Sequence, residues 1–178
     1  SIFILSYNSS VFSIEPDAFI QSTVDKASKI LSDNISKEQK INKLKLIAKE
    51  TVFINKIGFY SLGSFRKNLT NEQKIKYLSL FEKYFLKSFS SRLSEWTNPH
   101  IDVVSKKVIN KNYSMVSSIL KGTSERPEVK IDWRIYTKNP ENPLIVDVVI
   151  EGLSLARTQK EEFTSILNSN DKNINALF

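Results

Sequence analysis

The chain has 178 residues, 40% hydrophobic and 25% charged, which suits one compact domain that buries roughly 70% of its unfolded surface. Its apolar runs are only a few residues long, whereas a membrane-spanning helix needs about 20 residues. Cysteine is absent, which excludes disulfides and thiolate chemistry. The net charge of +7 is spread along the chain, so nucleic acid is not expected as a partner. Two interpretations of the excess of Lys are equally good: a base-composition bias of the gene, or a basic surface that attracts anionic lipid headgroups or acidic partners.

The amino-terminal segment 1–14 has no charged side chain, whereas charged residues are common from Glu15 onward. It begins with an apolar run, and Val11 and Ser13 fall at the two small-residue positions of a signal-peptidase site. The segment is therefore predicted to be the remnant of a cleaved secretory signal peptide, the alternative being a flexible arm. Residues 15–178 are predicted to form a single domain.

The first half of the chain has helical periodicity. Pro16 suits the first turn of an amphipathic helix that ends before Asp33, and the capping box Ser36–Gln39 opens a second helix that runs on toward Phe53. The capping box Thr70–Gln73 opens the longest helix. Because that helix is apolar around much of its circumference, we expect it to lie between two layers.

The second half changes to a period of two, in four strand-like runs between 101 and 154 with short connections. In the last run apolar side chains from Leu144 to Ile150 alternate with Asp147. Thr158 and Glu161 are predicted to cap a closing helix. The sequence thus predicts an α+β fold, in which amino-terminal helices pack on a curved four-stranded antiparallel sheet that forms a half-cone with a hydrophobic cavity. The eleven Phe residues can line that cavity or fill it as a solid core.

Two motifs carry a resemblance to a known family. The stretch Phe53–Trp96 combines a leucine-glycine pair, an aromatic and basic turn, and a threonine-capped helix with paired phenylalanines, and Val146–Leu167 has an Asp followed by a Glu-Gly-aliphatic-Ser run. Both are similar to the Mla-type periplasmic phospholipid-binding proteins (MlaC, or toluene-tolerance, family). The matching positions are Leu62, Gly63, Phe65, Arg66, Thr70, Gln73, Phe81, Phe85, Asp147, Glu151, Gly152, Ser154 and Phe163.

The resemblance implies a non-enzymatic periplasmic carrier that hides phospholipid acyl chains between helices and sheet. It further implies exchange of lipid with an inner-membrane ABC-type lipid transporter and an outer-membrane lipid-transfer complex, a system that maintains outer-membrane lipid asymmetry, and it implies no cofactor. A phospholipid with two acyl chains has some thirty methylenes, and exposing each of them to water costs about 0.8 kcal/mol. A carrier that moves the lipid through water therefore needs an apolar enclosure for the acyl chains. The predicted lipid-binding residues are Ile57, Tyr60, Leu62, Phe65, Leu78, Phe81, Phe85, Phe89, Leu93, Val129, Ile131, Trp133, Val146, Val148 and Ile150.

Catalytic and metal sites are not expected. Ser154, between a strand and a helix, resembles a nucleophile elbow, but the second glycine of that motif is replaced and His100 is the one available imidazole, so Ser154 is interpreted as polar cap material for the following helix. Asp147 and Glu151 would lie near 13 Å apart along a strand, too far for a glycosidase pair, and are predicted to be solvated or to contact a partner. The alternatives to a carrier are a cone-fold enzyme of the isomerase or dehydratase type, or a solid-core protein-interaction module.

Overall fold

The structure is a computed structural model that describes residues 12–178, so residues 1–11 of the predicted signal remnant lie outside the described residues. The helices are α1 (Pro16–Ser32), α2 (Lys37–Thr51), α3 (Ile54–Leu62), α4 (Asn71–Ser94) and α5 (Leu155–Asn168), with short 3₁₀ helices at Gly63–Asn68 and Ile174–Leu177. The strands are β1 (Ile101–Asn110), β2 (Tyr113–Leu120), β3 (Val129–Tyr136), β4 (Leu144–Ile150) and β5 (Leu153–Ser154). The predicted α+β class is confirmed. In the described range no helix is long and apolar enough to span a bilayer.

Helices α2 and α4 begin at the two capping boxes that the sequence predicts. At α2 the Ser36 side chain accepts a hydrogen bond from the Gln39 backbone N–H, and the Gln39 side chain accepts one from the Ser36 backbone N–H. Thr70 and Gln73 form the same reciprocal pair at α4. Each capping box satisfies two of the backbone donors that a helix start leaves free. Both predicted helix starts are confirmed.

The predicted run of the second helix toward Phe53 is wrong, because the chain leaves the helix after Thr51 and re-enters one at Ile54. In the break, Val52 forms a parallel bridge with Ile145 of β4, and the Phe53 N–H donates to the Ile145 carbonyl at 2.9 Å. The break therefore gives the edge of β4 a backbone partner that an uninterrupted helix could not supply.

The sheet is an open antiparallel meander in the order β1-β2-β3-β4-β5, so the predicted topology is confirmed and one short strand is added. The inner face carries the buried residues of β2 and β3, with Val116, Ile135 and Ile145 in the hydrophobic core, and the helices that approach the sheet closely are α1, α3 and α5. The strand pairing aligns three inner rows across β2, β3 and β4: Ser114–Ile135–Ile145, Val116–Trp133–Val148 and Ser118–Ile131–Ile150.

Strand β4 departs from the strict alternation that its sequence predicts. Arg134 pairs with Asp147 and the next residue, Ile135, pairs with Ile145, which leaves Val146 as the extra residue of a β-bulge. Val146 is buried, but Ile145 takes the inner-row position that was predicted for Val146. A bulge is decided by long-range pairing and has no period in the sequence, which is why the alternation concealed it.

The closing helix begins earlier than predicted. Ser154 is its N-cap, and its side chain accepts from the Arg157 N–H at 3.0 Å. Thr158 lies one turn inside the helix and donates its hydroxyl to the Ser154 carbonyl, so the predicted capping role of Thr158 and Glu161 is wrong. The role proposed for Ser154 as polar cap material is confirmed.

Candidate functional site

Phe81 of α4 lies at the centre of the hydrophobic core. Its ring makes an edge-on contact with Phe163 of α5 at 6.1 Å between centroids, and it lies so close to Gly58 of α3 that an added Cβ there would meet its Cδ1 at 2.9 Å. Tyr77, one turn earlier, donates its hydroxyl to the Gly58 carbonyl at 2.7 Å. Phe81 is only 3% exposed, so this end of the predicted cavity is filled by packed side chains.

A series of stacked phenylalanines extends from this core along α4. The rings of Phe81 and Phe85 are 6.1 Å apart, and those of Phe85 and Phe89 are 5.7 Å apart and nearly parallel. The spacing of four residues places all three on one side of the helix. Unlike Phe81, both Phe85 and Phe89 are only partly buried, so the series runs from the closed core toward solvent.

On the sheet, Trp133 of β3 is held by a polar contact at a buried position. Its indole N–H donates to the Ser118 hydroxyl at 2.9 Å, and that hydroxyl donates to the Ile131 carbonyl at 2.8 Å. The bond fixes the ring on the inner face while its apolar surface stays partly exposed. Val148, the neighbour of Trp133 in the same inner row, is partly exposed as well.

Several apolar side chains pack against the core yet keep part of their surface accessible, and we use the name apolar rim for four of them: Phe85, Phe89, Trp133 and Val148. Helix α4 approaches α2 and α3, whereas the close helix-to-sheet approaches are those of α1 on β1 and β2 and of α3 and α5 on β4. Phe85 and Phe89 belong to α4, and Trp133 and Val148 are neighbours on the inner face of the sheet.

The predicted lipid-binding residues divide into three groups by position. Five lie buried in the core or sheet: Ile57, Leu62, Phe81, Ile131 and Val146. Eight are partly exposed on α4 or the sheet, namely the four residues of the apolar rim together with Leu78, Leu93, Val129 and Ile150. The remaining two, Tyr60 and Phe65, lie near α5 and the carboxy-terminal 3₁₀ helix.

Tyr60 and Phe65 line two surface cavities. Tyr60 is 43% exposed and borders a cavity of about 410 Å³ with polar residues of α5, and Lys160 lies 5.1 Å from its ring centroid. Phe65 borders a cavity of about 210 Å³ together with Leu167 and Ile174. The structure therefore does not bring these two residues together with the apolar rim, although the sequence placed all of them in one pocket.

The groups considered for catalysis are held in other roles. Ser154 belongs to β5 and His100 precedes β1, and these strands form opposite edges of the sheet, about 19 Å apart at four strand spacings. His100 is exposed and pairs with Asp102 at 3.0 Å. The Asp102 pKa is lowered, chiefly by a hydrogen bond from Lys121. No serine–histidine pair can form in this arrangement.

The sequence predicts a solvated or partner-contacting Asp147, but in the structure this residue is partly exposed and its carboxylate is hydrogen-bonded within the fold. Its carboxylate accepts hydrogen bonds from the backbone N–H groups of Val148 and Ala156 and from the Ser154 hydroxyl. It therefore ties the start of α5 to β4, where a negative charge also complements the helix dipole. Its position seven residues before the N-cap gave no local sequence signal for this role. Glu151 accepts from the Lys130 backbone N–H across the adjacent turn.

The buried polar side chains of the described residues are four serines: Ser61, Ser90, Ser114 and Ser118. A cone-fold isomerase or dehydratase needs a carboxylate or imidazole inside its cavity, and serine hydroxyls alone do not supply a proton-transfer group of suitable pKa. Between Phe12 and Phe178 there is also no cluster of three His, Cys, Asp or Glu side chains that could hold a metal ion. The site as built offers apolar contact and little else.

Comparison with solved structures defines the class of fold. The chain is similar to a phospholipid-binding protein from Ralstonia solanacearum, solved in complex with a phospholipid, with a TM-score of 0.75 over 92% of this chain and 93% of that chain. The two sequences are 18% identical, so the likeness is one of fold. A search of curated proteins finds no match.

The family follows from the sequence itself. Residues 21–178, which include every element from α1 onward apart from its first turn, match the family model described as MlaC protein. The chain belongs to the MlaC family. The resemblance carried by the leucine-glycine and Glu-Gly motifs is thereby confirmed.

Proposed function

We propose that the protein is a phospholipid carrier that holds acyl chains between α4 and the sheet, with the apolar rim as the contact surface. The observation that carries this proposal is the rim itself, because four large apolar side chains keep accessible surface beside the core. Exposing such surface to water is unfavourable by about 25 cal/mol per Å², and lipid chains would cover it. The family and the phospholipid in the structurally similar protein support the same ligand class.

The cellular part of the proposal follows from family membership. We propose that the carrier works in the periplasm after export, and that it passes lipid between an inner-membrane ABC-type transporter and an outer-membrane lipid-transfer complex. An internal apolar site without buried charged groups suits this task, because it binds acyl chains and leaves the headgroup in water. Wide headgroup tolerance is then expected.

Binding also requires that the closed core open. The space around Phe81 is filled in this structure, so acyl chains would have to displace rim side chains or separate α4 from the sheet. Phe85 and Phe89 pack at one end of the stacked series and are already partly exposed, so their displacement costs less than that of Phe81. We therefore place the first contact with lipid at Phe85 and Phe89.

Native mass spectrometry of the purified protein, followed by extraction and identification of bound lipid, tests the carrier. The expected result is co-purified diacyl phospholipid, or uptake of labelled phospholipid from vesicles. A homogeneous ligand-free mass together with no uptake would refute the carrier and favour a solid-core interaction module, which the packing around Phe81 would then explain.

A matched pair of variants locates the site. Val148→Trp adds a ring to the rim, whereas Val149→Trp adds the same ring to the opposite face of β4, where Val149 pairs with Asp132. We expect Val148→Trp to lower lipid content and Val149→Trp to keep it, with both variants retaining the near-ultraviolet circular dichroism of a folded chain. Equal lipid content in the two variants would show that the lipid-binding site does not lie at the apolar rim.

A further inference from the structure

The positive charge of this protein is concentrated on two helices. Helices α2 and α4 contain ten Lys and Arg residues against four Glu residues, a net charge of +6, while the whole chain carries +7. All other segments together are therefore close to neutral. A base-composition bias would spread lysine without regard to acidic residues, so this asymmetry indicates a surface of defined charge.

The two helices lie side by side and antiparallel. Lys37 near the start of α2 pairs with Glu95 just after the end of α4, and Lys49 near the end of α2 pairs with Glu82 at 3.8 Å. The two ion pairs thus occupy one Glu at each end of the contact, Glu95 and Glu82. The stretches of α2 and α4 between these ion pairs expose Lys43, Leu46, Lys83 and Lys87, and we call this set the α2–α4 basic face.

All four residues of the α2–α4 basic face are exposed, and none of its three lysines forms an ion pair within the described residues. Leu46 is 62% exposed, an apolar side chain surrounded by cationic ones. The same helix α4 carries Phe85 and Phe89 of the apolar rim on another side.

We propose that the α2–α4 basic face docks on the surface of an anionic lipid bilayer. Basic residues near an anionic membrane each contribute about fivefold to binding, and an exposed leucine among them can enter the headgroup layer. A protein partner fits less well, because protein interfaces are depleted of lysine and enriched in arginine and aromatic residues. Docking of this face depends on surface charge and is independent of the carrier function.

Sedimentation with two kinds of vesicle tests the proposal: pure phosphatidylcholine, and phosphatidylcholine mixed with phosphatidylglycerol. The full chain is expected to bind the anionic vesicles, to leave the neutral ones free, and to dissociate as salt is raised, because screening weakens exposed charges. Absence of binding to anionic vesicles at low salt overturns the proposal and leaves an acidic protein as the occupant of the face.

Charge-reversal variants separate this face from net charge. The triple variant Lys43→Glu, Lys83→Glu, Lys87→Glu removes three lysines and is expected to weaken binding by more than about 100-fold. The control Lys107→Glu, Lys111→Glu, Lys138→Glu makes the same change in net charge at exposed positions of the β-hairpins, and its effect should stay below the fivefold of one lysine. Equal losses in the two variants would overturn the proposal, because they would show attraction by net charge alone.

A fluorescent dye attached at position 46 reports directly whether this face contacts the bilayer. Because the chain has no cysteine, Leu46→Cys takes a single environment-sensitive dye, and Lys138→Cys provides the matched control. The dye at position 46 should shift to the blue on anionic vesicles and the dye at position 138 should not. The reverse pattern would place another face on the bilayer.

Lipid content measured on the same charge-reversal variants is expected to be unchanged, so failure of docking and failure of the carrier function give different results.

Discussion

Two hydrogen-bonded side chains, one buried and one partly exposed, show how single residues hold this fold. Tyr77 is 3% exposed, and its hydroxyl reaches the carbonyl of Gly58, a residue whose missing side chain leaves room for Phe81. Burial raises the pKa of Tyr77, because an ionised phenolate is poorly solvated there. Asp147 is the second case, since it binds the backbone at the start of α5.

Tyr77→Phe is expected to lower the free energy of unfolding by about 1 to 2 kcal/mol at neutral pH, because the Gly58 carbonyl loses its buried partner. The raised pKa also sets a pH dependence. The contribution of Tyr77 is fully present below the unfolded pKa of about 10 and is lost as pH rises, at up to about 1.4 kcal/mol per pH unit.

Urea unfolding from neutral to strongly alkaline pH measures the free energy of unfolding of the wild type and of Tyr77→Phe. The stability difference between wild type and Tyr77→Phe should shrink above pH of about 10, since other tyrosines and lysines titrate in both proteins and cancel. A difference that is constant with pH would contradict the burial of the hydroxyl.

Asp147→Ala should destabilise the protein by about 1 to 3 kcal/mol, because the N–H groups of Val148 and Ala156 lose their acceptor. Asp147→Asn keeps an acceptor oxygen but removes the negative charge near the helix start, so an intermediate loss is expected. Thermal unfolding measures both. If Ala and Asn have equal effects, hydrogen bonding at this position is not what stabilises α5.

At the scale of elements, helix α4 combines three environments along its surface. One side packs into the core through Tyr77 and Phe81 and, farther along the helix, carries Phe85 and Phe89 to the apolar rim, while the outward side is basic. The wide apolar stripe in its sequence is therefore not uniform in function. Its amino-terminal half is structural, and its carboxy-terminal half is the part that we assign to lipid.

Alanine substitutions along α4 should separate these two halves. Phe81→Ala is expected to cost about 3 to 5 kcal/mol, the range for truncation of a phenylalanine in a solid core. Phe89→Ala removes a partly exposed ring and should cost less, while lowering lipid content more. Chemical denaturation and lipid extraction give the two quantities. A full core penalty at Phe89 with unchanged lipid content would show that the rim is ordinary core.

At the scale of the whole molecule, α4 has close backbone neighbours in α2 and α3, whereas α1, α3 and α5 approach the sheet closely. The carrier that we propose would open by separating α4 from the middle of the sheet. Lipid between the layers would replace contacts that are lost on opening. The folded state with lipid should therefore be more stable than the lipid-free state.

Delipidated protein is expected to melt below the lipid-bound form. A short-chain, water-soluble phosphatidylcholine at about 100 times its dissociation constant contributes about 2.7 kcal/mol by mass action, which for a domain of this size corresponds to about 5 to 10 °C. Differential scanning calorimetry over a concentration series measures the shift. Val148→Trp should abolish the concentration dependence, and a shift of equal size in that variant would argue for binding elsewhere.

The sequence by itself determined the elements and the family. Both capping boxes, the antiparallel meander and the cap at Ser154 follow from local chemistry, since hydrogen bonds between residues a few positions apart depend little on the rest of the chain. The leucine-glycine and Glu-Gly motifs identified the MlaC family without any coordinates.

Only the tertiary structure decided which apolar residues are core and which form a rim. Periodicity places Phe81, Phe85 and Phe89 on one side of α4, but their exposure depends on how far the facing layer lies from each of them. The bulge at Val146 and the reach of Asp147 to α5 are likewise set by pairing between distant segments. Local sequence patterns carry no information about distances between remote segments, and these distances define the candidate site.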